Sequence, residues 1–299
     1  MARPSINDLP RASRRNRRVI AQSGLETVNQ CREEDALRAR QLNSDKVTSS
    51  SLIDGAEASD LAVRLKANSE RRDVSRTLAS KRHMLALRML FVAALIQFLK
   101  TVVIRRTKSF TVVSKHWQVR PEQLLSQSAK RLLATFRSDL NRRGASGAKG
   151  WLICVLDIEY EPQRGIFVLH LHGLASGEML GVLNRLRRMP KYRPVRTERD
   201  GLVPIYRPIV IKPLARTGFE RQLTYLLKSH WTSTWRGLLQ DDAKFRTARK
   251  SQRIPEPYHS LLLLWLDRYS LQDITLLMGL EACSFGFRRT RKSRRGKGQ

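Results

Sequence analysis

Acidic residues are scarce in this chain: 26 Asp and Glu stand against 57 Lys and Arg, a formal net charge of +31 with a pI near 11.3. That imbalance far exceeds what solubility requires. It implies a polyanionic partner, most simply nucleic acid, with an anionic membrane surface as the weaker alternative. Cysteine is almost as sparse. Cys31, Cys154 and Cys283 are far apart and form no CxxC pair, which excludes a disulfide scaffold and a cysteine-rich zinc site and suits a reducing cytoplasm. The N-terminus is basic but lacks the apolar stretch and small-residue cleavage site of a secretory signal. Only one long apolar run occurs, "LALRMLFVAALIQFLKTVVI" at residues 85 to 104. It has the length of a membrane span, about 20 residues, but Arg88, Gln97 and Lys100 inside it favour a helix packed on the core.

What is present divides the chain into five stretches. Residues 1–80 are rich in Arg, Ser, Asp, Asn and Glu without a continuous apolar stripe, and are expected to form a basic, largely disordered or loosely helical arm. Residues 81–108 hold the apolar helix, 109–235 a catalytic core, 236–286 a helical C-terminal region and 287–299 a basic disordered tail. Apolar residues, 41% of the chain, suffice for a real core. Within the core, "SFTVVSKHW" reads as a strand, and "RPEQLLSQSAKRLLATFRSDLNRR" repeats leucines at helical spacing. "WLICVLDIEYEPQRGIFVLHLHGL" then reads as a hairpin. "SGEMLGVLNRLRRM" follows as a helix, and "VPIYRPIVIKPL" as a strand that its prolines push to a sheet edge. A helix over residues 218–231 opens with a capping box, Thr217 and Glu220. The order β-α-β-β-α-β-α predicts an α+β fold, an antiparallel sheet with helices gathered on one side. "YHSLLLLWLDRYSLQDITLLMGL" reads as one or two apolar helices.

The chemistry concentrates in the hairpin. Alternation on a strand puts His170 and His172 on one face, about 7 Å apart at their Cα atoms. A Pro-Gln-Arg-Gly turn pairing Glu161 with Ile166 sets Asp157 opposite His170 and Val155 opposite His172, with Glu159 diagonal on the same face. The other face collects Leu152, Cys154, Leu156, Ile158 and Tyr160 with Phe167, Leu169 and Leu171. Two imidazoles and a carboxylate with open positions suit Mg²⁺ or Mn²⁺, although Zn²⁺ would bind too. Two hydrogen-bonded histidines on a half-exposed sheet face are the plainer alternative.

A second feature lies further along. Phe219, Leu223, Leu226 and Leu227 form the apolar stripe of the 218–231 helix, so Tyr225 and Lys228 fall on another side and core packing does not explain the tyrosine; an exposed Tyr covering a neighbour beside a solvated Lys is the plainer alternative. A phenol next to a metal or an ammonium becomes a competent nucleophile, and its attack on phosphorus forms a phosphotyrosine.

Together these residues resemble the HUH endonucleases, specifically the single-tyrosine rolling-circle replication initiators. "FTVVS" (110–114) is similar to that family's first motif, "HLH" (170–172) to its His-hydrophobic-His motif, and "YLLK" (225–228) to its YxxK motif. The resemblance covers residues 109 to about 231. It implies a ferredoxin-like core and a divalent metal, Mg²⁺ or Mn²⁺, held by His170 and His172 with Asp157 or Glu159 as the acidic ligand. It also implies Tyr225 as nucleophile toward single-stranded or origin DNA, Lys228 near metal and phosphate, and a host replication helicase as a further partner. The activity implied is metal-dependent nicking and joining that initiates plasmid-like replication through a 5′-phosphotyrosine. A single-tyrosine transposase of the same superfamily is the alternative within the resemblance.

Arg187, Arg188, Lys191, Arg193 and Arg196 fall in one basic loop and are candidate phosphate contacts. Trp151, Tyr192, Trp231 and Trp235 are candidate stacking platforms for unpaired bases, each with a core role as the alternative. The rival from another class is a non-catalytic nucleic-acid-binding protein with a ferredoxin-like sheet.

Overall fold

Thr27 opens a long helix with a reciprocal cap. Its hydroxyl oxygen accepts from Gln30 N at 3.2 Å while the Gln30 amide oxygen accepts from Thr27 N at 2.9 Å. The computed structural model describes residues 6, 9–10, 20, 25–70, 75–102, 106–193, 195–196, 205–215, 218–228, 231–241 and 244–290. Residues 115, 195–196, 205–206, 234–241 and 244–251 are described by their backbone. Among the described residues the helices α1 (Val28–Leu42), α2 (Asp45–Thr48), α3 (Gly55–Glu70) and α4 (Lys81–Lys100) precede the sheet.

Of the basic, largely disordered or loosely helical arm expected over residues 1–80, the stretches 28–42, 45–48 and 55–70 are packed helices. The packing was hidden because much of it is polar. Buried Asp35 of α1 accepts from Ser80 Oγ at 2.7 Å, Lys81 N at 2.6 Å and Arg82 N at 3.2 Å, capping α4 from a neighbouring helix. Buried Arg38 donates to Ala79 O at 2.7 Å, and Ala58, Leu61, Ala62 and Leu65 bury the inner face of α3. Helix α4 is the apolar run of the sequence, capped by Ser80 and burying Phe91, Val92, Leu95, Ile96, Phe98 and Leu99. By length and composition it is long and apolar enough to cross a membrane, with 61% of its apolar window buried inside the protein.

The sheet follows. β1 (Thr107–Val119) leads through α5 (Pro121–Leu124) and α6 (Ala129–Arg142) to β2 (Gly150–Glu161) and β3 (Ile166–Gly177). Helix α7 (Met179–Leu186) and the short strands β4 (Val195–Arg196) and β5 (Ile205–Tyr206) precede β6 (Ile209–Pro213) and α8 (Phe219–Thr224). The order β6-β1-β3-β2 is antiparallel throughout, and β6 is an edge strand, as its prolines require. The hairpin register matches the turn: Glu161 pairs Ile166, Asp157 pairs His170 and Val155 pairs His172.

The free edge of β2 is extended by chain expected to be helical. β7 (Thr232–Asp241) meets β2 in parallel at Tyr160 and Ser233 and forms a hairpin with β8 (Lys244–Arg253). After α9 (Tyr258–Asp267), β9 (Thr275–Met278) pairs antiparallel with β2 over Leu152–Val155, and β10 (Leu280–Cys283) pairs with β11 (Gly286–Arg289). The helical reading of 236–286 thus holds only for α9. A short leucine-rich run suits a buried strand as well as a helix, and the unpaired edge of β2 decides for a strand. The fold is α+β with a mixed sheet.

Helices are not gathered on one side. α7 packs on β2 and β3, while Phe98 of α4 lies edge-on to Trp151, centroids 5.0 Å apart, on the face of β2 that also carries Asp157. The expected 218–231 helix ends at Thr224, and its start follows Gly218, whose φ of 67° is left-handed. Thr217 lies outside the described residues, as does 291–299 of the basic tail.

Candidate active site

Strand alternation turns Asp157, His170 and His172 toward one another, and their ligating atoms lie within 4.8 Å of each other. His170 Nδ1 faces Val168 O at 3.3 Å. Its Nε2 faces Asp157 Oδ2 at 3.1 Å, and the tautomer decides which of the two ring nitrogens donates. His172 Nδ1 is held by Thr111 Oγ1 at 3.0 Å, across the β1–β3 pair. His172 Nε2 is 3.4 Å from Asp157 Oδ2, and it is buried with no hydrogen-bond partner.

That orphaned nitrogen favours a cation. Each histidine has its Nδ1 anchored and its Nε2 turned toward a shared carboxylate, the arrangement that orients imidazole ligands. Asp157, His170 and His172 therefore form a possible metal-binding triad. Two nitrogens and one oxygen would leave further positions on a divalent ion open. Glu159 is buried on the same face but lies outside this cluster.

Lys228 completes the electrostatics. Its ammonium lies 2.5 Å from Asp157 Oδ2 and 4.0 Å from Glu159 Oε1. Burial opposes ionisation of Asp157, but the Lys228 ammonium and then His170 outweigh it and hold the carboxyl well below the usual range. Burial likewise disfavours the Lys228 charge, and Asp157 more than compensates, so its pKa is raised. Burial lowers that of His172 against the pull of Asp157. The result is an ion pair beside a neutral imidazole.

Tyr225 stands over this group. It caps the C-terminus of α8 and is 56% exposed, so packing does not hold it there. Its ring is edge-on to His172 with centroids 5.9 Å apart, and the Lys228 ammonium is 4.7 Å from the ring centre. Arg88, the cation inside the apolar helix, explains how α8 is anchored: it pairs with Glu26 Oε2 at 2.7 Å and donates to Thr224 O at 3.4 Å, one residue before Tyr225. A pocket of about 420 Å³ opens here, lined by Thr111, Val113, Glu159, His170, His172 and Tyr225 among others. Exposed Lys212 of β6 adds a cation to its wall.

Three contributors escaped sequence reading: Thr111, Lys212 and Gly173. The first two reach the site only through β1–β3 and β1–β6 pairing. Gly173 follows the histidines, and a Cβ there would lie 2.4 Å from both Ile153 O and the Phe110 ring. The glycine after HLH could have been noticed as a demand for close approach.

The basic loop is less uniform than expected. Arg187, Arg188 and Arg193 are exposed, although Arg187 also donates to Ile209 O at 3.1 Å and Arg193 to Arg188 O at 3.3 Å. Lys191 is instead drawn to buried Asp139 at 2.5 Å, which also accepts from Tyr192 Oη at 2.9 Å. Arg196 lies in β4, described by its backbone. Trp151, Tyr192 and Trp231 are buried, which overturns them as stacking platforms, and the Trp235 side chain lies outside the described residues.

Comparison of the chain with protein-family models, curated proteins and solved structures finds no match.

Proposed function

We propose that the protein is a metal-dependent endonuclease and strand transferase for single-stranded DNA that works through a 5′-phosphotyrosine, the chemistry that initiates rolling-circle, plasmid-like replication. The observation that carries this reading is the convergence of Tyr225 and Lys228 on the triad, with the Lys228 ammonium on Asp157 and the Tyr225 ring against His172. Neither packing nor a purely structural histidine pair calls for an exposed tyrosine at that place. The strand order β6-β1-β3-β2, with helical crossovers from β1 to β2 and from β3 to β6, supports a ferredoxin-like core to which β7, β8 and β9 are added. The net charge of +31 supports a polyanionic substrate.

His170 Nε2, His172 Nε2 and Asp157 would hold Mg²⁺ or Mn²⁺, which supplies Lewis acidity toward phosphate oxygens. Tyr225 Oη attacks the scissile phosphorus and gives its proton to water, the bond from phosphorus to the 3′-oxygen breaks, and that oxygen takes up a proton from water. The products are a 5′-phosphotyrosine and a free 3′-hydroxyl, and the reverse reaction rejoins strands. Lys228 supplies positive charge beside the phenol ring, 4.7 Å away, where negative charge develops.

The test incubates wild type and Tyr225→Phe with labelled single strands and Mn²⁺, then maps peptides. Wild type should carry a nucleotide on Tyr225, whereas the variant should bind DNA and form no adduct. Normal nicking by Tyr225→Phe would overturn the mechanism.

A further inference from the structure

Asp157 Oδ2 serves too many partners at once. It faces His170 Nε2 at 3.1 Å, His172 Nε2 at 3.4 Å and the Lys228 ammonium at 2.5 Å, while Oδ1 accepts from Ile158 N at 2.9 Å. A divalent ion would sit about 2.0–2.6 Å from a ligating carboxylate oxygen. A doubly charged ion and an ammonium cannot both crowd one oxygen without strong repulsion. The ammonium must therefore move when the ion enters.

A destination is already beside it. Glu159 lies two residues along β2 on the same face, buried, with Oε1 4.0 Å from Lys228 Nζ. The lysine stem is flexible and can swing between two carboxylates without moving the backbone. Glu159 lines the pocket together with Tyr225, so the shift would bring the positive charge to the pocket wall.

We propose that Lys228 is a tethered stand-in for the metal, paired with Asp157 in the metal-free protein and transferred to Glu159 when the ion binds. Glu159 is then a positioning residue for Lys228 rather than a metal ligand. The inference rests on the metal-site reading of Asp157, His170 and His172, and its test does not use DNA cleavage.

Mn²⁺ binding to the full chain is measured by calorimetry for wild type, Lys228→Met, Glu159→Gln and the double variant, with His170→Ala as the site control. Lys228→Met should bind Mn²⁺ about tenfold more tightly, since the competing cation is gone. Glu159→Gln should weaken binding severalfold when Lys228 is present and by less than about twofold in the Lys228→Met background. Lys228→Gln should behave as Lys228→Met does if the methionine variant does not fold. Equal weakening by Glu159→Gln in both backgrounds would make Glu159 a direct ligand and overturn the exchange, as would unchanged or weaker binding by both Lys228 variants. Wild-type binding that His170→Ala leaves intact, or no binding at all, would overturn the metal reading itself and the exchange with it.

Discussion

Asp157 and His170 are register partners across the β2–β3 hairpin, and their side chains close to 3.1 Å between Oδ2 and Nε2. Both are buried. A buried carboxylate is retained only when charge or hydrogen bonds compensate its lost hydration. Here Lys228 supplies the charge and Ile158 N a hydrogen bond. His172, by contrast, keeps an unsatisfied buried nitrogen at the same centre. The site is thus stable as an ion pair but incomplete as a hydrogen-bond network, and a cation is what would complete it.

A bound ion must stabilise the fold if the triad holds it, because the unfolded chain scatters the three ligands. At a concentration about 100 times its dissociation constant, Mn²⁺ should add about 2.7 kcal/mol to the free energy of unfolding. Urea titrations with Mn²⁺ and with EDTA measure this difference. It should vanish in His170→Ala, and an identical gain in that variant would place the ion elsewhere.

Thr111 holds His172 Nδ1 at 3.0 Å without belonging to the triad of ligands. Thr111→Val keeps the shape of the strand residue and removes that partner, so His172 loses its fixed ring orientation. Mn²⁺ affinity should fall by about tenfold, the lower end for loss of a supporting partner. Calorimetry checks this, and unchanged affinity would show that packing alone orients the ring.

The parts of this site that were legible in the sequence are those set by local periodicity. Alternation and a four-residue turn suffice to bring Asp157 opposite His170, because the turn pairs Glu161 with Ile166 and so fixes every pair beyond it. Three-residue spacing on a helix predicts that Tyr225 and Lys228 lie together, but the helix ends at Thr224 and the two meet in the turn that follows it. Thr111 was not legible, since its approach to His172 depends on how β1 pairs with a strand far along the chain. Nor were the helices of residues 28–70, whose locks are polar groups such as Asp35 and Arg38 bonded to distant chain. Thr275–Met278 misled for the opposite reason: its leucines fit a helix, and only the open edge of β2 made them a strand.

Gly173 sets a steric limit on the strand that carries the histidines. A Cβ there would press on Ile153 O, a backbone atom in the neighbouring strand, and on the Phe110 ring, both at 2.4 Å. The ring can turn, but the carbonyl belongs to the β2–β3 ladder. Gly173→Ala should therefore cost about 1–3 kcal/mol of stability, the range for overpacking, and should weaken Mn²⁺ binding through displaced His172. Denaturation and calorimetry on one preparation test both effects, and a variant as stable as wild type would refute the contact.

Acid sensitivity should arise partly far from the triad, at Glu34. Its carboxylate pairs with Arg38 at 2.9 Å and with Arg253 at 3.0 Å, joining α1 to β8. Burial alone would raise its pKa, but Arg38 and then Arg253 bring it from 4.5 down to about 2. The folded state thus holds this proton less readily than the unfolded chain does. Stability from the pair is fully present above about pH 4.5 and is lost as pH falls toward 2, amounting to a contribution on the order of 3 kcal/mol. Urea unfolding of wild type and Glu34→Gln between those limits isolates the effect, because the other acid-sensitive groups remain in both. Wild type should lose more stability than the variant by on the order of 2 kcal/mol, and parallel losses would show that the Glu34 pair contributes nothing.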